Sequence, residues 1–398
     1  MKRTIIIALA LITLVKISNG QTKYPTSGSS IASSAVPFVS ITPDSRAGAM
    51  GDAGVATSPD VNAQFWNPAK YVFAESTSGV ALSYSPWLRK LVNDMNLAYL
   101  VGYHQLDKNQ SISGSLRYFD LGSMELFGEG GASTGSSDPN EFSLDFGYSR
   151  KLSDSWSGSV AMRYIRSDIY NGTQTDYVAG NSFAADVAFY YNKKIYKNRK
   201  NSFISGGLNI TNIGSKISYD NGEFKDFIPT NLRIGGAYTT ELDKYNKFTI
   251  AVDLNKLLVP TPQLDSTGTI IRTGNQDVGP IEGMFISFSD APRGFKEELR
   301  EITYSVGAEY WYSNQFAVRT GYFHESSANS SAIEDQWKEK GSRQYLTFGA
   351  GLKMNVFSLD FSYIVTLKKN NPLENTLRFT LGFDLDDFSK QGKKKSKR

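Results

Sequence analysis

A membrane-spanning, antiparallel β-barrel of about fourteen strands is the all-β fold that this sequence predicts. Three observations predict it: a recurring two-residue alternation, segments as long as a tilted bilayer-crossing strand, and connections that are short and long in turn. "FSLDFGY" sets Phe142, Leu144, Phe146 and Tyr148 against Ser143, Asp145 and Gly147. "VFSLDFSYIV" sets Phe357, Leu359, Phe361, Tyr363 and Val365 against Ser358, Asp360 and Ser362. "TLRFTLGFDL" places Leu377, Phe379, Leu381 and Phe383 opposite Arg378, Thr380 and Gly382. Successive side chains of a strand point to opposite faces, so each stretch has one apolar and one polar face.

On this pattern strands are expected at 78–86, 95–105, 110–120, 141–150, 155–166, 182–191, 202–212, 230–240, 246–255, 301–312, 315–323, 344–353, 355–366 and 374–385. Most lie near the ~9–11 residues that a tilted strand needs to cross a bilayer. Short connections ("QLDKNQ", "KLSDSW", "ELDKYNK", "SN", "MN") alternate with long ones at 121–140, 167–181, 213–229, 256–300 and 324–343. Outer-membrane barrels make short periplasmic turns and long extracellular loops. The alternative, an exported soluble β-sandwich, has no reason to do so.

In hydrocarbon every backbone polar group must be paired within the protein, so a wall of strands has to close. Asp145, Asp253, Asp360, Arg163, Arg319 and Arg378 are then expected to face the lumen. Tyr103, Tyr148, Trp156, Trp311, Tyr312 and Phe383, at segment ends, are expected in interfacial girdles. With an even strand count, both termini are expected on the short-turn, periplasmic side.

Three further segments flank the barrel of residues 78–385. Residues 1–20 read as a secretory signal: Lys2 and Arg3, the apolar run Ile5 to Val15, then Ser18 and Gly20 before Gln21. That run is too short to span a bilayer as an anchor. Residues 21–77 form an N-terminal segment, and residues 386–398 a basic tail. The signal carries three positive charges and Lys390 to Arg398 six, so the remainder has a net charge of −5. The basic pI therefore resides in the two ends, and a nucleic-acid-binding body is not implied.

The chain has no cysteine, which excludes disulfides, thiolate metal sites and a cysteine nucleophile. It has two histidines, His104 and His324. "FHESSANSS" gathers His324, Glu325, Ser326 and Ser327, but neighbours on a strand face opposite ways, and a satisfied or solvated histidine is the simpler reading. "GEGGASTG" (Gly128 to Gly135) lacks the lysine and the strand-to-helix setting of a phosphate loop. No catalytic residue, metal or cofactor is assigned.

The stretch from Arg46 to Phe73, "RAGAMGDAGVATSPDVNAQFWNPAKYVF", is the most distinctive. Gly48, Gly51 and Gly54 let the chain turn tightly and approach a wall. Asp60 is expected to cap a short helix through "VNAQFW", and Asn67-Pro68 to stop it. Part of this segment belongs in the lumen, as an ordered lead-in bracing the wall near the periplasmic mouth in preference to a substrate-gating plug.

Two long loops carry apolar residues. Loop 256–300 holds "VPTPQL", "VGPIEGMFISFSDAP" and the helix-compatible "GFKEELREI". Its Met284, Phe285, Ile286 and Phe288 are too apolar for an idle surface loop, so they either contact a partner or form a lid on their own barrel. Loop 213–229, with Tyr219, Phe224, Phe227 and Ile228, is the second candidate.

"SRAGAMGDAGVATSPDVNAQFWNPAK", with Arg46, Gly48, Gly51, Asp52, Gly54, Trp66, Asn67 and Pro68, resembles the N-terminal motif of the PorV family of type IX secretion system outer-membrane barrels. Related PorQ barrels share much of the pattern. Asn67-Pro68-Ala69 is similar to the wider FadL family of hydrophobic-compound channels, so the resemblance implies a FadL-like barrel. The specific motif covers about residues 40–73; length, strand count and loop pattern extend the likeness over the mature chain. The resemblance implies a Gram-negative, Bacteroidetes-type outer membrane and a non-enzymatic secretion role. Its partners would be a SprA-type translocon barrel, cargo C-terminal signal domains, a sortase-like attachment complex that joins cargo to anionic lipopolysaccharide, and outer-membrane lipid. A FadL-like channel for lipids or other hydrophobic small molecules is the second reading, and a surface lipid-modifying hydrolase the third.

Overall fold

Fourteen of the strands close on themselves because each has a partner on both sides and the first pairs with the last. The computed structural model describes residues 34–88, 94–127, 131, 133–169, 177–197, 200–262, 275–291, 294–326, 342–368 and 373–386. The expected export signal, residues 387–398 of the tail, Ser327 and much of the loops 256–300 and 324–343 lie outside them.

The strands are β1 (Ser78–Pro86), β2 (Asn96–Gln105), β3 (Gln110–Asp120), β4 (Met124–Phe127), β5 (Ser133–Ser137), β6 (Asn140–Lys151), β7 (Trp156–Asp168) and β8 (Gly180–Lys197). There follow β9 (Lys200–Gly214), β10 (Asn231–Glu241), β11 (Asn246–Leu257), β12 (Ile302–Tyr312), β13 (Phe316–Glu325), β14 (Arg343–Met354), β15 (Phe357–Thr366) and β16 (Leu377–Asp384). All except β4 and β5 form one closed antiparallel barrel, sealed by β1 on β16 with Ala81 opposite Gly382 and Tyr84 opposite Phe379. The β4–β5 hairpin is a separate two-stranded piece in the β3–β6 loop, where the sequence reading had only loop. β4 is only four residues long, and β5 is made of Ser, Thr and Gly, so neither shows a period.

Connections 106–109, 152–155, 198–199, 242–245, 313–315 and 355–356 define a short-turn mouth. Connections 87–95, 121–139, 169–179, 215–230, 258–301, 326–342 and 367–376 define the opposite, long-loop mouth. Outward faces carry the apolar set, for example Leu100, Leu144, Phe146, Val160, Met162 and Phe183. Inward faces carry small polar residues such as Ser111, Ser113, Ser115, Ser143, Ser157 and Ser159, together with the expected Asp145, Asp253, Arg163, Arg319 and Arg378. A wall that is greasy outside and polar within follows from the period alone.

Two girdle assignments fail. Tyr103 turns inward and stacks on Tyr71 at 4.6 Å, while Trp311 lies 5.3 Å beneath the Arg319 guanidinium. Strand parity, not nearness to a strand end, decides the face. On β2 the inward set Leu97, Tyr99, Val101 and Tyr103 is as apolar as the outward set, because it packs on the segment inside the barrel.

That segment runs the length of the lumen. Residues 34–41 sit at the long-loop mouth: the Ala35 N–H donates to the Phe227 carbonyl at 2.9 Å, and Val36, Phe38 and Val39 pack with Leu97, Phe119, Ile165 and Ile228. The chain then passes through α1 (Ser45–Gly48), α2 (Ala63–Trp66) and a 3₁₀ stretch, Pro68–Phe73, to enter β1 at the short-turn mouth. The lead-in is thus a core that fills the barrel, not a brace at one mouth. Residues 34–41 and Asp384 lie at opposite mouths, and the expectation of both termini on the short-turn side concerns residues outside the described ones.

Candidate functional site

Within the lumen each motif residue has a specific anchor. Asp44 caps α1 by accepting from the Ala47 N–H at 3.0 Å, and its other oxygen accepts from the Trp66 indole N–H at 2.6 Å. Arg46 donates to both oxygens of Glu309 on β12, at 2.9 and 2.8 Å, and to Asp60 at 2.8 Å. Glu309 also accepts from Arg319 at 2.7 Å, and Arg319 donates to Asp360 at 2.6 Å. Asp60, Arg46, Glu309, Arg319 and Asp360 therefore alternate in sign along one chain of ion pairs. It ties the inner segment to three wall strands. Buried charges persist only when paired and hydrogen-bonded in this way.

Asp60 does not cap α2. Its carboxylate accepts from the Asn62 N–H at 2.9 Å while the other oxygen holds Arg46. Asn67 does end α2, and then caps the 3₁₀ stretch by accepting from the Ala69 N–H at 3.1 Å. Its amide donates to Val55 O and, across to the wall, Phe189 O at 2.9 Å. The Pro68 carbonyl accepts from Ser149 at 2.8 Å.

Gly51 adopts φ +70°, and a Cβ there would lie 2.7 Å from the Tyr322 backbone. The wall reciprocates: a Cβ on Gly321 would fall 2.1 Å from Met50 and Gly51 backbone atoms. Gly48 lies against Arg378, and Gly54 under the Trp66 ring. Asp52 accepts from the Tyr345 hydroxyl at 2.6 Å.

The sequence reading singled out neither Asp44, Lys70 nor Glu309. Lys70 is fully buried and donates to the Gly54 carbonyl at 2.7 Å. The inner face of β11 contributes Asp253, which accepts from the Gly54 and Val55 N–H groups at 2.6 and 2.8 Å. Glu309 sits on the polar parity of β12, and that parity was the available signal.

The space left in the lumen is a cavity of about 810 Å³ at the short-turn mouth. Asp60, Glu75, Tyr103, Lys244, Lys247 and Lys353 are among its lining residues.

At the long-loop mouth the apolar loop residues divide. Helix α3 (Pro280–Ile286) exposes Phe285, 71% accessible, along with Ile281, and Phe288 follows it, also exposed. Met284 and Ile286 are half-buried. Tyr219, Phe224 and Phe227 are half-buried. Tyr219 packs against the cluster around Phe38 and donates to Ser167 at 2.9 Å, and Phe227 seats under Gly283 of α3 and beneath the Lys216 ammonium at 4.2 Å. Loop 215–230 is thus the floor on which α3 rests. Nearby, burial pushes the Asp290 and Glu301 carboxyls above the usual carboxylate range, opposed at Glu301 by its bond to Lys256.

His324 stacks on Tyr304 at 4.5 Å and lies 3.2 Å from Ser326 Oγ, on the outward face. Glu325 is paired to Arg343 instead. His104, at the short-turn mouth, lies 2.7 Å from Ser78 Oγ.

No curated protein sequence matches this chain significantly. Among solved structures it is similar to a FadL homologue of Pseudomonas aeruginosa, with 10% identity, a TM-score of 0.47, and coverage of 86% of this chain and 99% of that one. It is also similar to the Pseudomonas putida toluene transporter TodX, with 10% identity, a TM-score of 0.48, and coverage of 85% and 97%. A family model described as "Type IX secretion system protein PorV" matches residues 25–264, which is more than half of the chain and includes the luminal motif. This outer-membrane-type barrel belongs to the PorV family of type IX secretion system proteins.

Proposed function

We propose that this barrel works as a carrier: it receives cargo C-terminal signal domains as they leave a SprA-type translocon barrel and presents them to a sortase-like attachment complex. Family membership supports a secretion role, and the carrier role is the reading that best fits the molecule's surface. One observation carries it. The lumen is occupied from mouth to mouth by residues anchored through buried ion pairs, while Ile281, Phe285 and Phe288 are exposed at the long-loop mouth. Work done by such a molecule is done at its surface. In this reading Met284 and Ile286 pack the base of α3, Phe227 holds it up, and Tyr219 and Phe224 belong to the half-buried loop beneath. The motif residues from Arg46 to Pro68 fix the barrel's interior, and both the short-turn mouth and the basic tail face the periplasm.

A FadL-like channel fits less well. The remaining cavity mixes charged side chains with aromatic ones, whereas sites for apolar ligands are mostly apolar. A hydrolase fits least, since His324 is part of an outward aromatic cluster and Glu325 is engaged elsewhere.

The test is affinity purification from native membranes of the wild type and of a Phe285→Asp/Phe288→Asp variant. Wild type should recover a very large translocon barrel and exported cargo, and the variant should lose them while its barrel stays folded. Recovery of neither by the wild type would sink the carrier reading.

A further inference from the structure

We propose that the short segment before β12 is an anchor in the membrane interface that binds the anionic headgroups of surrounding lipid. On β11, Asp253 faces inward, so Leu254 and Lys256 face outward, and Lys256 pairs in register with Ile302 of β12. Lys256 is nevertheless only 8% exposed. It is covered by α4 (Phe295–Glu298) and the 3₁₀ turn that follows it, Leu299–Glu301. Glu298 accepts from its ammonium at 3.0 Å, as does Glu301. Glu298 also accepts from the Ala291 N–H at 2.7 Å. The segment therefore lies on the outside of the wall at the long-loop rim.

Its polarity is inverted relative to a water-facing helix. Glu297 and Glu298 are buried, whereas Phe295 is 74% exposed and Leu299 is exposed beside it. Burying carboxylates while exposing a phenyl ring is unfavourable toward water and favourable toward an apolar surround. What surrounds this place is set by the strands below it: outward Leu254, Val306 and Tyr304 belong to the lipid-facing belt, and the segment continues that belt upward. Lys296 and Arg300 are exposed on the same short segment, and neither has an ion-pair partner among the described residues. Aromatic and aliphatic groups beside free cations make an interfacial anchor, with the rings below and the cations at headgroup phosphates.

This occupant differs from the protein partner proposed for α3. It rests on the barrel's place in a membrane, not on the cargo reading, so either can fail alone.

Because the chain has no cysteine, single cysteines carry a nitroxide label without background. Phe295→Cys and Leu299→Cys are labelled in the full mature protein and placed in bilayers of phosphatidylcholine, alone or mixed with phosphatidylglycerol. Collision with oxygen reports lipid and collision with a nickel complex reports water. Leu254→Cys is the lipid control and Lys244→Cys, on a short turn, the water control; heat-modifiable electrophoretic migration verifies folding. Labels at 295 and 299 should favour oxygen as 254 does, and sit deeper in the anionic bilayer. Lys296→Gln and Arg300→Gln should each lower retention of phosphatidylglycerol about fivefold, with Lys296→Arg restoring it. Labels that favour nickel in both bilayers overturn the anchor. Equal depth in both, with retention unchanged by the glutamines, overturns the headgroup assignment.

Discussion

The inside of the barrel and its long-loop rim treat the same kinds of residue in opposite ways. In the lumen, Arg46, Glu309 and Arg319 are buried and answer one another at hydrogen-bond distance. At the rim, Phe285 and Phe295 stand exposed among the described residues. The first arrangement fixes one structure, since an ion pair broken inside a protein leaves an uncompensated charge. The second leaves apolar surface to be covered by something else. Stability is concentrated in one region and, in the proposed reading, recognition in the other.

Substitutions should separate the two. Glu309→Ala removes the carboxylate that two buried guanidinium groups share, leaving each with one acidic partner, and should cost about 3 kcal/mol, read as a lowered unfolding midpoint in detergent by heat-modifiable migration. Gly51→Ala forces a left-handed conformation on a residue with a Cβ and pushes it into the Tyr322 backbone; about 3 kcal/mol is expected in the same assay. Phe285→Ala should do the reverse. It should leave the midpoint unchanged and weaken partner binding by about 2 kcal/mol, the scale of a buried aromatic anchor. A midpoint shift with intact binding would merge the two regions into one. His324→Ala should be the mildest, losing a ring stack worth about 1 kcal/mol, with secretion retained; loss of an activity from a folded variant would revive the hydrolase.

Much of the wall was legible because its two faces meet different solvents and the strand period records that difference directly. Phe142, Leu144, Phe146 and Tyr148 announce lipid, and Ser143 and Asp145 announce the lumen. The signal weakens where both faces are apolar. Tyr103 was misplaced for that reason, since it meets Tyr71 of the inner segment rather than lipid. Gly51 was legible as a residue needing close approach, but its neighbour Tyr322 lies far along the chain, and no local pattern names such a partner. Nor does local sequence say from which mouth an inner segment enters. The loops were half legible: Phe285 and Phe227 look alike in sequence, but Phe227 is spent supporting α3 and Phe285 is exposed.

The seam has a consequence for biogenesis. The first and last strands complete the cylinder together, so closure waits until the whole polypeptide is available. Thr380, on that last strand, accepts from the Ser45 N–H, and Arg378 beside it lies against Gly48. The final strand is therefore shaped to shut over contents already in place. An assembly machine that released the sheet before those contents had settled would leave a hollow vessel with unmatched charges lining its bore.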